Sequence, residues 1–442
     1  MKHISLLLSV LLLAAACATS SDRAALAITN TTVIDGTGAA EQHAMTVVLR
    51  GGRIVSVGPS ATTAVPHNAR VVDGNGKFLI PGLFDMHTHL SFWGAEALPV
   101  LVRYGVLAVR DLGGSLEELD RWRGEIARGA RIGPRIFRAG PYVDGPKDYS
   151  GSSETTKLRK ATTITVSTPE EGRAAVISLQ QRGVDTIKTH NGLSLESFLA
   201  IASECRRLNL PLATHLASRN VTIEQASDAG VTTLEHCEML TESIVFANIP
   251  PGGKPKDPVA ALDEITDERA MELFRRFARN GTAYDPTLVA YRTFMQEAVD
   301  LAPKDASYVK AAAGRTKMFN RFVQLVGLMR RAGLTVVTGT DFGIRPESVP
   351  YPVPMPGTDL HEELKLFVQG GLTPMEALQA ATLMPARILR VADRLGTIEV
   401  GKDADLVMLD ADPLADIANT RRIAAVVVRG VLLDPAQLEA LH

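Results

Sequence analysis

The 442-residue sequence has almost no excess of either charge: 47 Lys and Arg face 49 Asp and Glu, a formal net charge of −2. It shows no basic stripe and no acidic tail, which argues against nucleic acid as a partner. Cysteine is scarce, at 3 residues. Cys205 and Cys237 fall in different expected elements and nothing in the text pairs them, so both are expected to be free, buried thiols. The 36 Gly and 24 Pro are far below the levels of disordered or collagen-like chains. Short-period repeats and low-complexity tracts are missing. What is present is ordinary: 45% hydrophobic and 22% charged residues, enough for a sizeable core. The length suits a large barrel plus a smaller module.

The N-terminus differs in kind. "MKHISLLLSVLLLAAAC" has a basic start at Lys2, an apolar run from Ile4 and small residues before Cys17. The run is too short to span a bilayer comfortably and reads as a secretory signal over residues 1–16. Small residues directly before Cys17 resemble a bacterial lipobox, in which the cysteine is lipidated and becomes the mature N-terminus, although Ala14 stands where that motif usually has Leu. The other reading is a plain signal peptide cut after an A-x-A site. On the first, the chain is exported to the bacterial cell envelope and meets the membrane only through a lipid anchor.

From Leu26 to Val72 the text alternates like short antiparallel strands: "LAITNTTVIDGTG", "MTVVLRGGRIVSVG" and "ARVVDGNGKFLIPG" each end in Gly-rich turns. The far end answers with "GTIEVGKDADLVMLDADP" and "IAAVVVRGVLL". Such flanks predict one β-sandwich built from residues 17–81 and 389–442. Between them, over 82–388, short apolar strands alternate with amphipathic helices. "TPEEGRAAVISLQQRG" shows the helix signals, with Thr168 as cap and Pro169 in the first turn. Eight such units predict an α/β fold, a (β/α)8 TIM barrel.

In that barrel the strand ends face the active site. They carry His87 and His89 on strand one, Lys188 on strand four, His215 on five, His236 on six and Asp341 on eight. Residues two apart share one face of a strand, so His87 and His89 point inward and Thr88 outward. A lysine inside an apolar strand must be deprotonated, paired or modified. Each residue alone is a weak signal; the set on one barrel is not.

"PGLFDMHTHL", "VDTIKTHNG", "ATHLAS", "TLEHCEM", "TGTDFG" and the closing "GLTPMEALQAATLMPARILRVADRLGTIEVGKDADLVMLD" resemble the amidohydrolase superfamily over nearly the whole mature chain. The subgroup it resembles is the imidazolonepropionase-related, prolidase-like one with a strand-four lysine. The resemblance implies two Zn²⁺ ions: one held by His87, His89 and Asp341, the other by His215 and His236, with Lys188 bridging them as a CO2-derived carbamate. Imidazole and carboxylate ligands suit Zn²⁺. A metal-bridging hydroxide would attack a carbonyl, and Asp341 would carry its proton to the leaving nitrogen. The implied activity is hydrolysis of the C–N bond of dipeptides or N-acyl amino acids. Alternatives are a cyclic amidohydrolase like imidazolonepropionase, a lactonase or phosphotriesterase, and, outside enzymes, a metal- or ligand-binding lipoprotein. The expected partner is a small amide or dipeptide; self-association into a homo-oligomer stays open.

Several further residues are candidates. His190, two after Lys188, should face the pocket as a substrate contact or a support. Tyr142, Tyr149 and Arg345 lie on long connections ("GPYVDGPKDYSGSSETTKLRK" and "GIRPESVPYPVPMPG"), which with "NIPPGGKPKDPVA" should set specificity. Arg110–Asp111 reads as a buried ion pair or a substrate carboxylate clamp. Asp359 and Glu362 read as a helix cap box near His361, and Tyr284 and Asp285 as lining the barrel mouth.

Overall fold

The computed structural model of the chain describes residues 25–146, 154–216, 220–245, 256–303, 305, 307–343 and 352–441. Cys17, Tyr149 and Arg345 lie outside them. The strands in chain order are β1 (Leu26–Val33), β2 (Gln42–Arg50), β3 (Arg53–Pro59), β4 (Arg70–Asp73), β5 (Phe78–Pro81), β6 (Leu83–Thr88), β7 (Val106–Asp111), β8 (Arg135–Arg138), β9 (Tyr142–Asp144), β10 (Thr163–Thr165), β11 (Ile187–Thr189), β12 (Leu212–Thr214), β13 (Thr233–Glu235), β14 (Ala283–Asp285), β15 (Leu406–Leu409), β16 (Ile423–Val428) and β17 (Val431–Leu433).

The two chain ends meet in one sheet, ordered β17-β16-β15-β5-β1-β2-β3 with β4 beside β1. The join is antiparallel, β15 against β5, with Leu406 opposite Pro81 and Leu409 opposite Phe78. The sheet curls over its own core, where Ile28, Val47, Leu49, Ile54, Leu79, Leu406 and Val427 are buried together. Its far edge returns to the segment just before β15: Ile54 N donates to Lys402 O and Ala404 N to Gly52 O, both at 2.8 Å. Gly430 and Gly52 have to be glycines there, since a Cβ on Gly430 would lie 2.6 Å from Gly52 Cα.

The middle of the chain is the barrel, as the alternating text predicts. β6, β7 and β8 pair in parallel, and β9, β11, β12, β13 and β14 continue the same direction. The third strand is broken between β8 and β9, and Asp185 N bridges the break by donating to Arg138 O at 2.9 Å. Strand eight is the one that departs from expectation. Residues 334–343 carry only isolated bridges, Val336 to Tyr284 and Phe342 to Thr88. Closure instead uses single backbone bonds (Met86 N to Thr338 O, Asp341 N to His87 O) and the buried Asp85 carboxylate, which accepts from Thr340 N at 3.0 Å and Thr340 Oγ1 at 2.6 Å.

The helices follow their caps. Pro169–Gln181 starts at the expected cap Thr168, which forms a capping box with Glu171, and Asp267–Asn280 ends on Gly281 at φ 74°. The expected cap box at Asp359 is not formed. The helix Thr358–Gln369 begins at Gly357 without a side-chain cap; Asp359 accepts from Met355 N, and Glu362 binds Arg292 and Lys365. His361 is buried away from the strand ends, bonded to Thr420 Oγ1 at 2.9 Å and Tyr104 O at 3.0 Å. Cys205 and Cys237 are free and buried. Among the described residues no helix is long and apolar enough to cross a membrane.

Candidate metal centre

The strand-end residues converge. His89 Nε2 lies 3.1 Å and His87 Nε2 3.4 Å from Asp341 Oδ1. The His87 and His236 ring centres are 4.5 Å apart, His236 and His215 4.4 Å, and His215 and His190 4.7 Å. Tyr142 completes the arc: its hydroxyl is 3.2 Å from His89 Nδ1, and its ring faces His190 at 5.7 Å. Lys188, in β11, is buried, and its Nζ has no hydrogen-bond partner among the described residues.

Strand alternation alone cannot build this arrangement. Glu235 and His236 are neighbours, yet both reach His87: Glu235 Oε2 is 3.0 Å from His87 Nδ1. They do so because His236 has φ 72°, a left-handed turn directly after β13. Asp341 (φ 56°) and Thr287 (φ 46°) are left-handed as well. Such residues cost on the order of 1–3 kcal/mol each and persist where surrounding contacts over-determine them. Thr287 is held by His236 Nδ1 at 2.9 Å, and Asp341 by its backbone bond to His87 O.

Burial sets the electrostatics. His87 is held well below the ordinary histidine range by burial, then by the Lys188 charge. His236 is lowered in the same way, by burial and then His87. Both are therefore neutral, the form that binds metals. Burial pushes the Lys188 amine down to about 8, against the pull of Glu235. It also pushes Asp85 up to about 7, opposed by the Thr340 bonds.

Among the described residues, two groups of ligand atoms are close enough to hold a cation: His87–His89–Asp341 and His87–Glu235–Asp285. The second already contains one. Arg110 NH2 lies 2.9 Å from Glu235 Oε1 and 3.7 Å from Asp285 Oδ2, so that group is a buried ion network. The first fits a metal. With His87 Nδ1 committed to Glu235, its buried Nε2 has no hydrogen-bond partner among the described residues and faces His89 and Asp341. A ligating histidine typically gives its other ring N–H to a carboxylate in this way. The His236 and His215 rings continue the arc from there.

Some expectations change. Arg110 and Asp111 are not paired with each other. Arg110 points into the barrel, giving Nε to Met86 O at 2.6 Å and NH1 to Thr233 Oγ1 at 2.8 Å. Asp111 accepts from Leu90 N at 2.6 Å and Gly113 N at 3.2 Å. Tyr284 and Asp285 do not line the mouth: both are fully buried, and the Tyr284 hydroxyl donates to His236 O at 2.9 Å. Glu235, Thr287 and Glu363 went unread in the sequence. The available signal was a charge inside an apolar strand, Glu235 in "VTTLEHCEM" matching Arg110 in "GVLAVRDLG".

The amidohydrolase family profile matches residues 78–433. The chain belongs to the amidohydrolase family. An imidazolonepropionase of Pseudomonas putida is 26% identical over 411 residues, covering 84% of this chain and 89% of its own. Among solved structures, a Bifidobacterium longum protein provisionally described as a prolidase is 27% identical, with a TM-score of 0.72 over 95% of this chain and 98% of that one. A Xaa-Pro dipeptidase with methionine bound in its active site is 22% identical, with a TM-score of 0.70 over 93% and 100%; that likeness bears on the fold, a TIM barrel with a β-sandwich. This amidohydrolase is a divalent-metal-dependent hydrolase acting on carbon–nitrogen bonds.

Proposed function

We propose that this amidohydrolase is a binuclear zinc enzyme that cleaves dipeptides or N-acyl amino acids. In this reading His87, His89 and Asp341 would hold one Zn²⁺, His215 and His236 would hold the other, and Lys188, as a carbamate, would supply an anionic ligand to both. The observation that carries it is the Lys188 amine, buried without a hydrogen-bond partner among the described residues and pushed down to about 8 by burial. Burying an ammonium without hydrogen bonds is costly, and the nearby Glu235 and Asp341 carboxylates offset that cost only in part; the neutral form of the amine can add CO2 and present two oxygens instead. Bound there, the metals would polarise a substrate carbonyl and lower the pKa of the attacking water toward about 7.

The chain's own residues do the rest. Asp341 is 30% exposed while His87 beside it is 1% exposed, so its carboxylate can meet both water and substrate. It takes the water's proton and hands it to the leaving nitrogen. His190 and Tyr142, at the open end of the arc, contact the substrate's acyl or carboxylate end. Tyr149 and Arg345 belong to the loops proposed to choose the side chain. Cys17 is proposed as a lipid anchor that keeps the enzyme in the cell envelope; Cys17→Ala should release it from the membrane fraction.

The test is metal analysis of protein lacking residues 1–16, with a panel of dipeptides, N-acyl amino acids, ring amides and lactones. Two metals per chain with cleavage of the first two classes is expected. Preferred ring-amide turnover, in line with the imidazolonepropionase relative, would move the substrate assignment. Two metals with no hydrolysis of any class would leave a metal-binding protein.

A further inference from the structure

The two buried histidine ligands are supported by groups of different charge. His87 Nδ1 rests on the Glu235 carboxylate at 3.0 Å. That carboxylate is fixed from behind by Arg110, at 2.9 and 3.1 Å, and by the Thr233 hydroxyl. His236 Nδ1 rests on a neutral group, the Thr287 hydroxyl, at 2.9 Å. Thr287 stands at the N-terminus of the helix Leu288–Leu301, where a threonine ordinarily caps the helix with its own oxygen. Here it makes no side-chain cap bond. Glu363, from the helix Thr358–Gln369, caps instead, accepting from Leu288 N at 2.9 Å and Val289 N at 2.7 Å. The substitution frees the Thr287 hydroxyl for His236. Glu235 with Arg110, and Thr287 with Glu363, are therefore two separate positioning devices.

We infer that these devices make the two metal positions unequal, so that the His87–His89–Asp341 position binds its metal tightly and the His236 position binds its metal more weakly. A carboxylate behind an imidazole raises its strength as a ligand, and loss of such a support costs about 10–100-fold in metal affinity. Asp341 lies nearer the first position: its Oδ1 is 3.1 Å from His89 Nε2 and 3.4 Å from His87 Nε2, whereas its Oδ2 is 3.9 Å from His236 Nδ1. The inference rests on the binuclear reading.

The test is chelator titration of the full-length holoprotein, with released Zn²⁺ counted by a metal indicator. Two resolved steps are expected. Thr287→Val should weaken the first-released metal about 10-fold and leave the second unmoved, with Thr287→Ser restoring it. Glu235→Gln should weaken the second-released metal instead, and circular dichroism confirms that the variant is folded. Should Glu235→Gln fail to fold, the Thr287 pair decides alone. One release step for two zincs, or Thr287→Val moving both steps equally, overturns the inference. Fewer than two zincs per chain would instead overturn the binuclear reading.

Discussion

Removing the Arg110 guanidinium should destabilise the barrel, and removing its partner as well should restore much of the loss. Arg110 is 1% exposed and Glu235 fully buried. In Arg110→Met, the Glu235 carboxylate loses both contacts at 2.9 and 3.1 Å, and the Met86 carbonyl loses the Nε donor at 2.6 Å. Breaking a buried pair from one side costs about 3–5 kcal/mol, because the remaining charge is stranded. Replacing both partners with apolar side chains of similar volume is often neutral or better. Arg110→Met with Glu235→Met should therefore be more stable than the sum of the single variants by about 1–3 kcal/mol. Urea unfolding followed by tryptophan fluorescence reads the barrel, since the chain has 2 Trp: Trp122 is buried in its core, and Trp93 packs against Phe342. The titrations are run with chelator present, so that bound metal adds no stability. If Arg110→Met unfolds within about 0.5 kcal/mol of the parent, or the two changes add, the buried network is not the structural element described here.

The remaining predictions are shorter. His361 is buried and held down to about 4, below the unfolded value of about 6.5. Its contribution is fully present above pH 6.5 and is lost as pH falls toward 4, up to about 3 kcal/mol; His361→Gln should flatten the stability–pH curve in that window. Gly339→Ala places a Cβ 2.4 Å from Asp285 Oδ2 and 2.6 Å from His87 Cβ, so it should cost about 1–3 kcal/mol in unfolding experiments and lower metal content. Lys188→Ala should abolish amide hydrolysis and reduce the zinc count per chain by mass spectrometry; full activity would refute the bridging role. Thr168→Ala removes the capping bond to Glu171 N at 3.2 Å and should cost about 1 kcal/mol without changing kcat.

How much of this was legible varies by residue, for physical reasons. His87, His89, Lys188, His215, His236 and Asp341 could be read because each is a polar residue closing an apolar run, and the barrel brings strand ends together. The supports could not be read in the same way. Period-two alternation places Glu235 opposite His236, and only the left-handed backbone at His236 brings both to His87; no glycine marks that turn in the text. Thr287 looks like an ordinary helix cap until Glu363, distant in sequence, is seen in its place. The cap box at Asp359 misled because Gly357 already starts the helix. Strand eight is a strand in its apolar pattern but not in its ladder, since Asp85 and Thr340 side chains take over part of the closure.

The join between β5 and β15 has a consequence for the order in which the molecule can be made. The partner of Phe78–Pro81 is Leu406–Leu409, so β5 leaves the ribosome long before its neighbour exists. β5 must wait, with an apolar edge open, until β15 arrives. A nascent chain stopped anywhere in the barrel is thus an incomplete sheet carrying an exposed seam, prone to pair with another copy. Only β15 and the strands after it close that seam, so a segment made late in synthesis completes a sheet begun early.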